Sequence, residues 1–404
     1  MKNNRMKAIS VLLGLSLVLG ACGEEAATSG GGAKEGERTV TIGSFYDITG
    51  GTSDTGTPYS EGQEDFFANL EKTGGIEGLH IEHKGEDYAY EISEAQRLYQ
   101  TYRDRDGVSA ILGWGTGDTE ALRKQVATDK IPFMSASYSE SLKDLKESPY
   151  NFFVAASYSD QGRMVLNWIK ENHKGDNPTV ALLYSDTGFG RSPIEDIKKY
   201  GEEIGVEIVD EQVIELSATE AQSQLLNMEK KNPDYAIIQQ TWGATSTILR
   251  DAKTLKIDTQ FIGLNQAAGE GLVEQAGEVS EGFMAVLTHS LPYEDVEGMK
   301  EYKTFLEGDG RSIEDINMQH VAGWVAAKVM VEGIKEAAEL KAEGDITGED
   351  VLAGLESLDN LDLGGLAAPV TFSEESHAGT NQARLGKVVD GKWEPMSDYL
   401  SAEK

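Results

Sequence analysis

Between Ile111 and Leu122 the chain reads ILGWGTGDTEAL, with glycine at 113, 115 and 117, an apolar run before it and a helical pattern after it. Such a junction is where an anion meets the free backbone N–H groups of a helix start. A dinucleotide fingerprint requires G-x-G-x-x-G, and here the third glycine comes one position early. No Lys-Ser/Thr pair follows, so the phosphate-loop signature is absent as well. Trp114, between two of the glycines, would crowd a pyrophosphate. The remaining chemistry is more general: a small anion such as a carboxylate, held by backbone N–H groups and Thr116. Asp118 complicates this, because as a helix cap it competes for the same donors, and a purely structural turn stays open. The run YSDTGFGR, Tyr184 to Arg191, is a second strand-to-helix glycine loop without nucleotide spacing. Its Phe189 either lines a cleft or closes a core.

Catalytic and metal chemistry find little support. The histidines are His80, His83, His173, His289, His320 and His377. No H-E-x-x-H occurs, His80 and His83 are too irregularly placed for a metal pair, and no G-x-S-x-G elbow presents a serine. No catalytic residue, metal or cofactor is expected. The single cysteine excludes an intrachain disulfide and a cysteine-based metal cluster. With 36 basic against 69 acidic residues the net charge is −33, which argues against nucleic acid, since a phosphate backbone needs a basic footprint. The acidic residues are spread along the chain, consistent with solubility on an exposed surface.

The address lies at the start. Lys2, Arg5 and Lys7 precede the apolar run Ala8 to Leu19, which is too short to span a bilayer and fits an export signal. It ends in LGAC, and small residues followed at once by Cys22 resemble a bacterial lipoprotein signal, in which that cysteine is lipidated (with palmitate among the acyl groups) and becomes the mature N-terminus. Residues 1–21 are therefore expected as signal peptide and 22–38, polar and glycine-rich, as a flexible tether. No later stretch approaches 18 continuous apolar residues, so the remainder is expected to be soluble, on the outer face of the cytoplasmic membrane.

Candidate binding groups need a scaffold, and the periodicity supplies one. From Thr39 short apolar strands alternate with helices of 10–15 residues: TVTIGSFY, then EGQEDFFANLEK, HIEHKGEDY, SEAQRLYQTYRDR, VSAILGW, DTEALRKQVATDK and IPFMSA. This is the pattern of βαβ units on a parallel sheet. It restarts after YNFFVAAS and runs to GFMAVLTHS, giving two consecutive α/β blocks. Helical patterns follow at 298–306, 320–340 and 348–358, and the chain ends in a predicted hairpin with Asp390-Gly391 as its turn. Seven loops at predicted carboxyl ends of strands combine hydroxyls and aromatics: 44–60, 114–118, 135–141, 156–162, 185–190, 239–243 and 264–270. In open parallel sheets ligands bind outside those ends. Aromatic walls with a few polar groups suit a small amphipathic solute.

The chain resembles the substrate-binding proteins of ABC importers, in particular the branched-chain amino acid (leucine/isoleucine/valine) binding family, from about Thr39 to Trp393. The resemblance rests on IGSFYDITG, RDGVSAILG, IPFMSASYS, VALLYSDTGFG, PDYAIIQQ, EGFMAV and VTFSEESHAG, in that order. It implies a periplasmic-binding-protein type I fold: α/β, with two similar doubly wound parallel-sheet lobes joined by a three-crossover hinge and closing like a clamp. It divides the chain into a first lobe at 39–156 and 287–365 and a second at 157–286 and 366–404. It implies a monomeric receptor, not an enzyme, that hands a small solute to a membrane permease.

Carried over to this sequence, the resemblance places Ser135, Ala136, Ser137 and Trp114, Gly115 and Thr116 around the ligand's carboxylate, with Tyr59 near its side chain. Tyr158 and Gln161 open the second lobe, Phe189 stands in its glycine loop, and Trp242 and Asn265 follow the next strands. An acid near this last loop commonly pairs with the ligand's ammonium, and here only Glu270 is close. A buried ammonium without a partner costs on the order of several kcal/mol. Either Glu270, Asp186, Asp47 or Asp160 supplies the charge, or the ligand lacks an ammonium. The second case leaves a small aromatic or aliphatic carboxylate or an amide, in keeping with Trp114, Tyr138, Tyr158, Phe189 and Trp242. Presentation of ligand to a separate sensor protein is a further alternative.

Overall fold

The computed structural model describes residues 36–175 and 177–402. The expected signal peptide, Cys22 and the expected tether as far as residue 35 lie outside the described residues.

The first sheet grows from the alternation of strand and helix seen in the sequence. Its elements are β1 (Arg38–Tyr46), α1 (Ser53–Lys72), β2 (Leu79–Asp87), α2 (Ile92–Thr101), β3 (Ala110–Gly113), α3 (Thr116–Asp129), β4 (Phe133–Ser135) and β5 (Asn151–Phe152). The strands lie in the order β2-β1-β3-β4-β5, all parallel. β3 and, from Val40 onward, β1 are buried, with Val40, Ile42, Phe45, Ile111 and Leu112 in the core, as expected of strands covered by helices on both faces. One difference from the sequence reading bears on the site. Helix α1 begins at Ser53, inside what reads as a long loop from 44 to 60, so Pro58 and Tyr59 are helical.

The second block comprises α4 (Tyr158–Asn172), β6 (Thr179–Tyr184), α5 (Gly188–Arg191), α6 (Ile194–Ile204), β7 (Glu207–Val213), α7 (Gln222–Glu229), β8 (Tyr235–Gln239), α8 (Trp242–Leu255), β9 (Gln260–Gly263), α9 (Glu270–Ala276) and β10 (Met284–Leu287). After it come α10 (Glu297–Gly308), α11 (Met318–Leu340), α12 (Gly348–Glu356), β11 (Gln382–Val389), β12 (Lys392–Pro395) and β13 (Leu400–Ser401). The second sheet runs β12-β11-β10-β9-β8-β6-β7, with β13 on β11. Its last strands are antiparallel, because β11 and β12 form a hairpin whose register closes at Val389 and Lys392. Asp390 and Gly391 both have φ near +60°, at 51° and 72°, as a two-residue hairpin turn requires.

Helices α10 to α12 return to the first lobe. Met299, Tyr302, Trp324, Val325, Val351 and Leu355 share one hydrophobic core with Val40, Ile42 and Leu112. Helix α11 is apolar nearly all round and is buried between α1 and α12. Its contact with α1 is so close that a Cβ at Gly62 would meet the His320 carbonyl, and one at Gly323 the Tyr59 carbonyl. The chain passes between lobes after β5, after β10 and before β11. Val370 and Phe372 still pack in the first core, while bridges pair Phe153 with Ala378 and His289 with Ala367, so the crossing segments lie side by side. Among the described residues no helix is long and apolar enough to cross a membrane.

Candidate functional site

A small cavity lies at the carboxyl ends of the parallel strands of both sheets. The first lobe lines it with Thr52, Tyr90, Trp114, Gly115, Thr116 and Ala136, and the second with Tyr158, Phe189, Thr241 and Gln266. Each comes from a loop or helix start just past a strand, where backbone polar groups are still free.

The aromatic walls are held from behind. The Trp114 Nε1–H donates to Thr52 Oγ1 at 2.8 Å, and the Thr52 hydroxyl donates to Asp47 Oδ2 at 2.6 Å. Tyr59 packs on Trp114 with ring centroids 5.0 Å apart. Tyr158 crosses to the first lobe, donating its N–H to Tyr138 O at 2.8 Å and its hydroxyl to Ala136 O at 3.2 Å. Phe189 meets Tyr158 edge-on at 5.4 Å, and the Gln239 amide donates to the Phe189 carbonyl at 3.1 Å. Tyr90 is presented by a strained backbone: Ala89 and Tyr90 both have left-handed φ, 54° and 58°. Non-glycine residues hold such angles only where surrounding contacts impose them, often at ligand sites. Here the Asp87 carboxylate takes the N–H groups of Ile48 and Ala89 at 3.1 and 2.9 Å.

The lobes are closed on one another. Asp54, in the first turn of α1, accepts the Gly243 N–H of α8 at 2.7 Å. In the reverse sense Glu270, in the first turn of α9, accepts the Met318 N–H of α11 at 2.9 Å. Each lobe thus places a carboxylate on the positive N-terminal end of a helix of the other. Gln319 donates to Gln266 Oε1 at 3.0 Å, and Ser192 to Ser139 at 3.0 Å.

With this geometry in view, the profile of periplasmic binding proteins matches residues 39–392. The chain belongs to the periplasmic binding protein family. This periplasmic binding protein is similar to an ABC transporter substrate binding protein from Aeropyrum pernix, with 30% identity, a TM-score of 0.83, and 90% of this chain and 96% of that one covered. It is also similar to a branched chain amino acid ABC transporter from Thermus thermophilus crystallised with bound valine, with 28% identity, a TM-score of 0.84, and 91% and 97% covered. A curated relative, the leucine-, isoleucine-, valine-, threonine-, and alanine-binding protein of Pseudomonas aeruginosa, is 20% identical over 308 residues, 76% of this chain and 80% of that protein. Such a protein binds its solute; it is not an enzyme.

Of the residues singled out in the sequence, Trp114, Gly115, Thr116, Ala136, Tyr158 and Phe189 meet at the cavity of this binding protein. Ser137 stands behind them, its hydroxyl 2.8 Å from that of Thr116. Ser135 reaches only the Ser137 carbonyl, at 3.4 Å. Tyr59 supports Trp114 without lining the space. Gln161 and Asn265 are braces: Gln161 donates to Ala156 O at 2.9 Å and accepts the Asn265 N–H at 3.0 Å, tying the start of α4 to the turn after β9. Trp242 is a correction. Its ring lies in the core of the second lobe against Gly269 and Gly271, with Nε1–H donating to Ala268 O at 2.7 Å, and the residue before it, Thr241, faces the cavity.

None of the expected ammonium partners lines the cavity. Asp186 is exposed and paired with Arg191. Glu270 is committed to Met318, Asp160 to Lys143 and Arg163, and Asp47 to Gly50 N–H, Thr52 N–H and the Thr52 hydroxyl. Thr52, Tyr90, Thr241 and Gln266 line the cavity without having been named. Three of them lie inside loops already marked by their hydroxyl and aromatic content. Tyr90 follows a strand whose loop carried no such mark.

Burial raises the Glu270 carboxyl to about 7, against the pull of the Met318 N–H. A raised carboxyl pKa means that the folded state keeps a proton which the unfolded chain releases, so stability falls as pH rises from about 4.5 to 7. Glu270→Gln keeps an oxygen to accept from Met318 and removes the charge. The variant is expected to be more stable than the parent by on the order of 1–3 kcal/mol at pH 8 and no more stable at pH 4, as chemical unfolding at the two pH values would show.

Proposed function

We propose that this chain is the solute receptor of an ABC importer, taking a small, mainly apolar amino acid between its lobes and delivering it to a membrane permease. The observation that carries this reading is the closed interlobe cavity. Its walls are Trp114, Tyr90, Tyr158 and Phe189, and its polar groups are hydroxyls and an amide: Thr52, Thr116, Thr241 and Gln266. Apolar walls supply affinity and a few polar groups set orientation. The names of the similar proteins, one crystallised with valine, fall in the same class. Both lobes contribute walls, so ligand stabilises the closed form over an open one. In the same reading Cys22 carries a lipid and tethers the receptor at the outer face of the cytoplasmic membrane.

A thermal-shift panel on residues 38–404 tests the proposal with leucine, isoleucine, valine, phenylalanine, their deaminated acids, their amides and small aromatic acids. A true ligand at a hundred times its dissociation constant adds about 2.7 kcal/mol, a shift of several degrees. The mixture is then chromatographed to show that the solute is unchanged. A flat response to the whole panel, or consumption of the solute, would sink the receptor reading.

A further inference from the structure

The two carboxylates that join the lobes are satisfied to different degrees. Asp54, set against α8, accepts the Gly243 N–H at 2.7 Å, the Thr55 N–H at 3.0 Å and a hydrogen bond from the Thr241 side chain. Glu270, set against α11, takes a single donor from the other lobe, the Met318 N–H, at 2.9 Å on Oε2. Its Oε1 is buried with no hydrogen-bond partner. First-lobe residues make the seal. Met318, the first residue of α11, is 1% exposed and lies in the second-lobe core with Trp242, Leu272 and Phe283. Asn317 caps the next two N–H groups of α11, which leaves the Met318 N–H to Glu270. Beside it the Gln319 amide donates to Gln266 across the same gap. Parting the lobes withdraws Met318 and admits water to the carboxyl group.

No cation offsets the charge of Glu270 once it is sealed. Its titratable neighbours are themselves acids or phenols: Glu274 one turn along α9, Tyr293 and Glu294 after β10, and Glu394 of β12 beyond Tyr293. The bases on the elements packed around it are engaged elsewhere. Arg384 of β11 pairs with Glu294, and Arg250 of α8 donates to the Gln275 carbonyl. Lys392 of β12 lies over the Tyr293 ring, and His320 of α11 meets Glu61. The positive end of α11 favours the charged form, but through one donor only. A carboxylate sealed in this way is costly, and taking up a proton removes the cost.

We propose that solute capture by this protein is coupled to proton uptake, with Glu270 protonated as the lobes close. The coupling rests on the receptor reading above and adds a regulation of the same cleft. A hydrated glutamate titrates near 4.5, whereas burial raises the Glu270 carboxyl to about 7 in the closed form. Protons therefore favour closure between those values. Affinity is highest at the acid end and falls as pH rises through about 7. The receptor loads more readily on an acidified surface and releases more readily on an alkaline one.

Titration calorimetry tests it on the parent, Glu270→Gln and Glu270→Ala, with leucine, isoleucine or valine, whichever binds the parent. Pairs of buffers with different ionisation enthalpies read the protons taken up per solute bound. The parent is expected to take up close to one proton at pH 6 and almost none at pH 8.5, and to bind about tenfold more tightly at pH 6. Glu270→Gln keeps an acceptor for the Met318 N–H and is expected to bind without proton uptake, equally well at both pH values. Glu270→Ala also loses the uptake, and it binds more weakly at both because Met318 has lost its acceptor. Should neither variant fold, the proton count of the parent decides. A parent that binds without proton uptake at pH 6, or a Glu270→Gln variant that retains it, overturns the coupling while leaving solute binding intact. A parent that binds none of the three defeats the amino-acid reading, and the coupling with it.

Discussion

Replacing Trp114 by alanine is expected to lower ligand affinity about a hundredfold and to cost the first lobe about 3 kcal/mol of stability. Trp114 is 5% exposed and belongs to the first-lobe core while forming a wall of the cavity. Its removal strips roughly 100 Å² of apolar contact from a bound solute, worth on the order of 2.5 kcal/mol, which is close to a hundredfold in Kd. The fold pays separately, through lost packing on Tyr59 and a cavity that relaxes only in part. Trp114→Phe separates the two effects. It keeps an aromatic wall and loses the hydrogen bond to Thr52, so affinity should drop by less than tenfold. Calorimetry and urea unfolding of both variants check this. An alanine variant that binds its solute as tightly as the parent would remove Trp114 from the site.

Asp54→Ala is expected to weaken binding by ten- to a hundredfold with little change in the unfolding of either lobe. The Asp54 carboxylate meets α8 of the second lobe, taking the Gly243 N–H at 2.7 Å, and the Thr241 hydroxyl also favours its charged form against a burial that raises its pKa. A charge-assisted hydrogen bond at a helix N-terminus is worth about 1.5–3 kcal/mol. Because this one exists only while the lobes are closed, its loss falls on the closed state and appears as faster solute release. Stopped-flow release and the radius of gyration of the ligand-bound form by X-ray scattering read it directly. An unchanged release rate would mean that the contact contributes nothing to closure. Asp54→Asn retains an acceptor oxygen and should show a smaller effect.

The two variants act through different parts of the site. Trp114 touches the solute space, whereas Asp54 touches the opposite lobe. The same division explains what each residue asked of the chain. Trp114 needs only a strand end and a glycine loop to be presented. Asp54 needs two helices, nearly 190 residues apart in sequence, to approach within hydrogen-bond distance.

Local pattern was enough for much of the architecture. Short buried strands such as VALLY and AILG, each followed by an amphipathic helix, leave a parallel α/β arrangement as the economical solution. The Asp390-Gly391 turn was readable because a two-residue hairpin requires positive φ at both positions. Strand ends carry the binding loops in this class of sheet, so the loops that hold Trp114, Ala136, Tyr158 and Phe189 could be marked from position and content, while the family resemblance singled out the residues within them.

Tertiary structure decided the rest, because direction and pairing are not properties of a local pattern. Trp242 and Thr241 are adjacent at a helix start. Which of them faces solute depends on the Gly269–Gly271 backbone that receives the indole. Tyr90 enters the cavity only because contacts with the neighbouring loop hold its backbone in a left-handed conformation that its sequence does not announce. Glu270, close in sequence to the last binding loop, is spent on a helix of the other lobe. The amino-acid sequence by itself determined the α/β lobes and the loops that surround the cleft, through hydrophobic period and turn chemistry. Which side chains of those loops meet a solute was decided by packing between segments far apart in the chain, where one neighbour's shape sets another's direction.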